Sequence, residues 1–272
     1  MDPRRLSREI MPLHKDEGIV LFKRAYGESD KIVRLFTLGS GKVAAIAKGA
    51  NKSQKRFMNT LEPFNHISLE YFEKYGKGMV RIENAHVIET NEGIETSLKK
   101  ACMAGFFTEF VDKLTKDREK HSSLFYILKE VLTRVRYADF TYSDVLFYEL
   151  SMLQTLGFEP NFHTCVYCGK PMNEEDRTCF SSERGGTLCH RCSRFISHKR
   201  YEGGVIERLA SMRDGDENIV SREPVGSYSS CGCGNGDDGV FERDARDLLE
   251  GFVTFHLDVE FKSYRILKSV MR

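Results

Sequence analysis

The sequence predicts an α+β protein: a small N-terminal β-barrel over residues 1–90, then a helical domain over 91–272 carrying an inserted cysteine-rich segment. Three observations predict it. From Gly18 to about Glu89, short β-branched and apolar runs alternate with turn residues, the pattern of successive strands. From Ile94 the apolar residues recur at helical spacing. Between residues 165 and 192, two C-x-x-C pairs interrupt the helical pattern.

Residues 1–14 contain Arg4, Arg5 and Arg8 with little apolar content and read as a frayed terminus. Five strand candidates follow: Ile19–Arg24, Lys31–Leu38, Val43–Ala47, Phe64–Phe72 and Met79–Ile88. Residues 26–30 supply a loop, and Gly39-Ser40-Gly41 a tight turn that makes the second and third strands a hairpin. Asn51–Asn59 is a longer, basic connection, and Gly76-Lys77-Gly78 turns the chain between the last two strands. Five short strands with one long connection after the third fit a closed barrel of the OB type. An SH3-like barrel or a plain meander has the same strand count. Lys42 after Gly41 invites a phosphate-loop reading, but Phe36 and Val43 stand where the Walker pattern requires Gly and Ser/Thr.

In the second half, Ile94–Thr115 places Leu98, Cys102, Phe106, Phe110 and Leu114 at four-residue spacing, one buried stripe. Cys102 on that stripe reads as a small core residue rather than a nucleophile. Ser123–Tyr137 repeats the pattern. Thr141–Leu156 opens on a cap, Thr141 with Asp144, and stops at Gly157. Tyr201–Met212 is a short helix candidate. Residues 213–239, rich in Gly, Asp and Ser, read as a loop or insertion, and Asp244–Tyr264 returns to helix.

The chain has eight Cys among 272 residues. Two C-x-x-C pairs about twenty residues apart have the spacing of a four-thiolate zinc site, here Cys165, Cys168, Cys189 and Cys192. Four thiolates close the tetrahedron and leave no position for water, so the zinc expected is structural rather than catalytic. Gly169 frees the backbone to turn beneath the sulfurs. A full thiolate set makes Cys179, His163, His190 and His198 unnecessary as ligands. A base-deaminase reading fails, because no His is followed two residues on by Glu and no Pro precedes either pair. Cys231 and Cys233 lack a partner pair and read as incidental thiols. Such cysteine usage fits a reducing, cytosolic compartment. The first residues lack the apolar core of a secretory signal, and no run approaches the ~20 apolar residues of a membrane span.

Formal net charge is only +1, yet nine Lys or Arg lie between Lys23 and Arg56 against two acids, Glu28 and Asp30. Exposed charges more than roughly 10 Å away are largely screened, so remote acids would not cancel such a patch. Lys31 and Arg34 share one strand, Lys48 closes another, and Lys52, Lys55 and Arg56 lie on the connection after it. A barrel face beside a basic loop is how OB domains hold single strands, with aromatic rings stacking on bases. Phe22 and Phe36 read as core, leaving Tyr26 and Phe57 as stacking candidates. Composition alone gives equal standing to a solvated charged face.

The runs Y-G-E-S-D-K-I-V-R-L-F-T, G-K-V, A-K-G-A-N-K-S and L-E-P-F resemble the RecO family of bacterial recombination mediators. The resemblance continues through C-x-x-C-G, F-S-x-x-x-G-G-x-x-C-x-x-C and the late F-V-T-F-H-L-D-V-E-F-K-S, in the family's order. Residues 1–14 and 213–239 lie outside it. The resemblance implies an OB barrel, a helical domain with a zinc site, and binding and annealing of single- and double-stranded DNA. The implied partners are RecR and single-strand-binding protein, which help RecA to load. Carried over by position, the DNA-contacting residues are Lys31, Arg34, Lys48, Lys52, Lys55 and Arg56. Since some members lack the cysteines, zinc is expected to serve stability rather than the shared activity. The resulting expectation is a non-enzymatic, cytoplasmic, nucleoid-associated DNA-repair protein with no membrane contact. The rival is a zinc-stapled interaction scaffold without annealing activity.

Overall fold

The computed structural model describes residues 12–53, 56–73, 78–137, 139–173, 178–202, 204–215 and 238–270. Its first strand, β1 (Leu13–Tyr26), is followed by β2 (Asp30–Thr37), β3 (Gly41–Ala47), β4 (His66–Phe72) and β5 (Val80–Glu89). They close in the order β1-β2-β3-β5-β4. A meander would place β4 beside β3. Instead β3 pairs with β5 in parallel, and β4 pairs antiparallel with both β5 and β1. That is an OB arrangement.

β1 begins earlier than alternation suggests. The polar run Leu13–Glu17 is held by its ladder to β4, with Leu13 opposite Phe72 and Glu17 opposite Ser68. Backbone pairing, not an apolar face, makes it a strand. Inside the barrel, Val20, Val33, Leu35, Val43, Ala45, Ile67, Leu69, Tyr71, Val80 and Ile82 form the core, joined by Phe57 and Leu61 from the long connection.

Compactness groups the described residues up to Glu92 with Val111–Phe125, and Gly93–Phe110 with Tyr126 onward. The segment Val111–Phe125 comprises the last residues of helix α1 (Leu98–Leu114) and the first of α2 (Ser122–Tyr137). Phe125 lies against Phe36 and His66, at 6.1 and 5.7 Å between ring centroids. Lys42, the residue that invites the phosphate-loop reading, is buried and donates to the carbonyls of Asp112 and Thr115. A cation at the carbonyl end of a helix satisfies orphan acceptors and opposes the negative dipole end. Gly41 beside it is obligatory. Its φ is +67°, and a Cβ there would lie 2.0 Å from the Glu119 carbonyl oxygen.

The second unit holds the remaining helices: α3 (Tyr142–Thr155), α4 (His190–Ser193), α5 (Val205–Asp214), α6 (Asp238–Leu257) and α7 (Lys262–Val270). It also holds a small sheet of β6 (Cys179–Ser181), β7 (Gly186–Leu188) and β8 (Lys199–Arg200). The expected cap of α3 is present as a reciprocal capping box between Thr141 and Asp144. Its other end is a Schellman motif, with Gly157 N–H donating to Gln154 and Phe158 N–H to Leu153, each at 2.9 Å. The single helix expected over Asp244–Tyr264 is two. Asp258 takes a left-handed conformation at φ 51°, ending α6, and the Glu109 carboxylate accepts the first N–H groups of α7, Lys262 at 3.1 Å and Ser263 at 3.0 Å. Cys102 is half-buried, and burial raises its thiol pKa, as suits a packing residue.

At the centre of this unit lies a fully buried ion pair, Arg246 with Glu149. Arg246 Nε donates to the Tyr142 hydroxyl at 2.8 Å, and the Tyr264 hydroxyl donates to Glu149. The guanidinium also lies over the Tyr264 ring at 4.8 Å. These contacts keep both charges paired where water is excluded.

Candidate nucleic-acid face and candidate metal centre

The outer surface of the barrel shows which basic residues are free to meet a polyanion. Lys31 and Arg34, neighbours in sequence, project to opposite sides of β2. Lys31 shares the side of Val33 and lies 3.8 Å from the Glu62 carboxylate, which also takes Lys23. Arg34 makes a two-pronged contact with Asp112, Nη1 lying 2.9 Å from each carboxylate oxygen. Lys48 is exposed and sits 3.1 Å from Asp30. The Gly49 N–H and the Lys48 ammonium together hold Asp30 below the usual carboxylate range. Acids close in space, Glu62 and Asp112 above all, therefore offset much of the patch. Sequence distance hid Asp112.

Lys52 and Arg56 remain exposed, and Lys55 lies outside the described residues. Arg56 donates only to backbone carbonyls, Lys48 at 3.2 Å and Glu83 at 3.4 Å. Those bonds fix its position and leave its charge unneutralised. Arg24, on the exposed side of β1, has no carboxylate partner among the described residues. Arg81 on β5, opposite Ile46 of β3, adds a cation over the Phe72 ring at 5.0 Å and also lies 3.4 Å from Glu83. Sequence reading counted Arg24 in the basic stretch without carrying it over as a DNA contact, and missed Arg81, which lies outside that stretch.

The aromatic assignments need correction. Phe57 is 1% exposed and belongs to the barrel core. Phe22, read as core, is 52% exposed, as is Tyr26. The reason is a bulge: the β1–β2 register shifts between Val20 and Phe22, so Val20 opposes Leu35 but Phe22 opposes Arg34. The extra residue, Leu21, inverts the alternation, and Phe22 faces out. Phe36 is fully buried as expected, packed by Phe125.

In the second unit, the Sγ atoms of Cys165, Cys168, Cys189 and Cys192 lie within 4.8 Å of one another. Four thiolates around an ion at about 2.3 Å would stand about 3.8 Å apart. The Cys168 and Cys189 sulfurs are 3.9 Å apart, so the donors fit a tetrahedral metal ion. Two turns present them. In the first, Gly169 takes φ +74° and its N–H returns to the Cys165 carbonyl at 2.8 Å. In the second, Cys189 precedes the short helix α4 that carries Cys192. Burial opposes ionisation of Cys165, but the backbone N–H groups of Cys189, Cys168 and Tyr167 outweigh it and draw its pKa down to about 6. Burial, with its hydrogen bonds to the other three cysteines, pushes Cys192 up to about 12. Met172, Leu188, Val166 and Ile196 pack around the cluster. Cys179 is in that same small core, on β6 opposite Leu188, and is not among the four. His163 is engaged 3.2 Å from Asp214, and His198 Nδ1 lies 2.9 Å from the Ile196 carbonyl. Cys231 and Cys233 lie outside the described residues. Among the described residues, no helix is long and apolar enough to cross a membrane.

Comparison with known proteins agrees with this architecture. Residues 11–91 match the family model described as recombination protein O N terminal, and residues 95–200 match that of the recombination protein O C terminal. The DNA repair protein RecO of Caldanaerobacter subterraneus subsp. tengcongensis is 30% identical over 92% of this chain and 95% of its own length. The protein of the same name from Thermoanaerobacter sp. is 30% identical over 93% and 96%. That of Myxococcus xanthus is 29% identical over 96% and 99%. With two consecutive family models spanning barrel and helical region, and relatives aligned almost end to end, the chain belongs to the RecO family of DNA repair proteins.

Proposed function

We propose that this protein binds single- and double-stranded DNA through the basic outer face of its barrel and anneals complementary strands. It works without chemistry on the DNA, as a recombination mediator rather than an enzyme. The observation that carries the reading is the set of cations beside β1 and after β3. Arg24, Lys52 and Arg56 are exposed without carboxylate partners among the described residues, and Arg56 is fixed by two backbone carbonyls. Lys48 and Lys55 extend the set, while Lys31 and Arg34 act from their ion pairs when a phosphate competes for them. Such cations neutralise phosphates on two strands at once and lower their repulsion while bases pair.

The four cysteines would hold one zinc ion, which as a closed four-thiolate centre supplies a structural cross-link. Family membership supports action with RecR and single-strand-binding protein to assist RecA loading, in the cytoplasm at the nucleoid. The test is annealing of two complementary fluorescent oligonucleotides by wild type and by the Lys52→Glu/Lys55→Glu/Arg56→Glu variant. Acceleration by wild type and its loss in the folded variant support the reading. One observation favours a scaffold instead: Lys23, Lys31, Arg34 and Lys48 are each engaged by a carboxylate. A protein that never accelerates annealing would favour that second reading.

A further inference from the structure

Phe22 and Tyr26 present half-exposed aromatic rings on the same side of β1, four residues apart, with Arg24 between them on that side. Successive residues rise about 3.3 Å, so the two positions are about 13 Å apart, too far for one base to touch both rings. Their exposure is built into the ladder. Without the bulge between Val20 and Phe22, the period-2 alternation would send Phe22 into the core and Lys23 outward. Bulges of this kind re-aim side chains beside functional sites. The barrel does bury a ring where packing calls for one, as Phe57 shows at 1% exposure. Elsewhere the exposed large apolar residues of the barrel are aliphatic: Leu13, Met58, Met79, Val87 and Ile88. Those offer no π face. Within the barrel, among the described residues, the end of β1 is where exposed rings stand beside a cation free of carboxylates.

Resting on the DNA-binding reading above, we propose that Phe22 and Tyr26 form a stacking platform for the unpaired bases of single-stranded DNA, while Arg24 takes the phosphate that runs between them. A ring can stack on any base, so the platform is indifferent to sequence. A duplex keeps its bases stacked on one another and cannot use it. The platform therefore separates two modes of binding on one barrel. Phosphate neutralisation serves both strand states, and ring stacking serves only the unpaired one. As two strands pair, bases leave the platform and the grip weakens, which suits an annealing protein that must release its product.

The experiment compares full-length wild type with Phe22→Ala/Tyr26→Ala and with Phe22→Trp. The probes are an oligo-dT strand, an abasic strand of the same length, and a duplex. Wild type should prefer oligo-dT to the abasic strand. Each lost stack should weaken oligo-dT binding about five-fold or more, and the double substitution about 25-fold. Abasic and duplex affinities, and the salt dependence, should stay at wild-type values. Since the chain has no Trp, Phe22→Trp adds a sole indole whose fluorescence should be quenched by oligo-dT and not by the abasic strand. If the double substitution binds oligo-dT as wild type does, or the indole does not distinguish the strands, the platform is wrong while DNA binding stands. If wild type binds none of the probes, the DNA-binding reading itself fails and the platform falls with it.

Discussion

Reversing Lys52 and Arg56 to Glu tests the electrostatic part of the account quantitatively. Arg24, Lys52 and Arg56 are the barrel cations whose charge no carboxylate offsets among the described residues. For a single strand, log affinity falls with log salt with a slope of about −0.7 per neutralised phosphate. Three such contacts give a slope of about −2.1, so raising salt from about 50 to 200 mM should weaken binding about twenty-fold. This is a floor, since Lys55 or release of Lys48 from Asp30 steepens it. In the double reversal only Arg24 remains of the three. The slope should fall to about −0.7 and the loss over the same range to about three-fold. Fluorescence anisotropy with a labelled oligo-dT over a salt series measures both slopes. Neither residue is buried, so the barrel should keep its fold. A double reversal with the wild-type slope, or a wild type insensitive to salt, would refute the reasoning.

Three further outcomes follow from the packing and the ionisable groups. Cys189→Ser should lose the one bound zinc seen by metal analysis of wild type and lower Tm, while the full chain still binds oligonucleotides through its barrel; a zinc-free wild type or an unchanged Tm would count against a structural ion. Arg246→Met strips the buried Glu149 of its cation, a loss of about 3–5 kcal/mol, or roughly 6–20 °C in Tm for a chain of this size. Adding Glu149→Leu should recover much of that loss, and a single substitution no worse than the pair would show the network contributes little. Asp30 has a depressed pKa in the folded state, so its contribution is present above its unfolded value near 3.9 and is lost as pH falls through the lower folded value. Chemical shifts of the Gly49 amide should therefore move only below about pH 4, and Asp30→Asn should abolish that step.

The strands and helices were legible because each reports its own period. Gly39-Ser40-Gly41 marked its turn, and Thr141 with Asp144 marked its cap. The four-cysteine cluster was legible from cysteine spacing alone, because side chains on two tight turns are nearly a local property. What escaped the sequence was set by neighbours. The bulge at Leu21 carries no Gly or Pro, so alternation put Phe22 on the wrong side of β1. Phe57 sits in a polar connection, and only the closed barrel shows its ring filling the core. The break at Asp258 lacks a helix-breaking residue and depends on Glu109, far away in the chain, to cap α7. The charge patch was overread for the same reason, since Asp112 reaches Arg34 across 78 positions.

Ultraviolet cross-linking of full-length protein to a photoreactive oligo-dT, with the adducts mapped by mass spectrometry, tests the central claim most directly. The account predicts adducts on β1 at Phe22 and Tyr26 and on the segment from Lys48 to Arg56. Adducts confined to the helical unit, with the barrel unmarked, would contradict it.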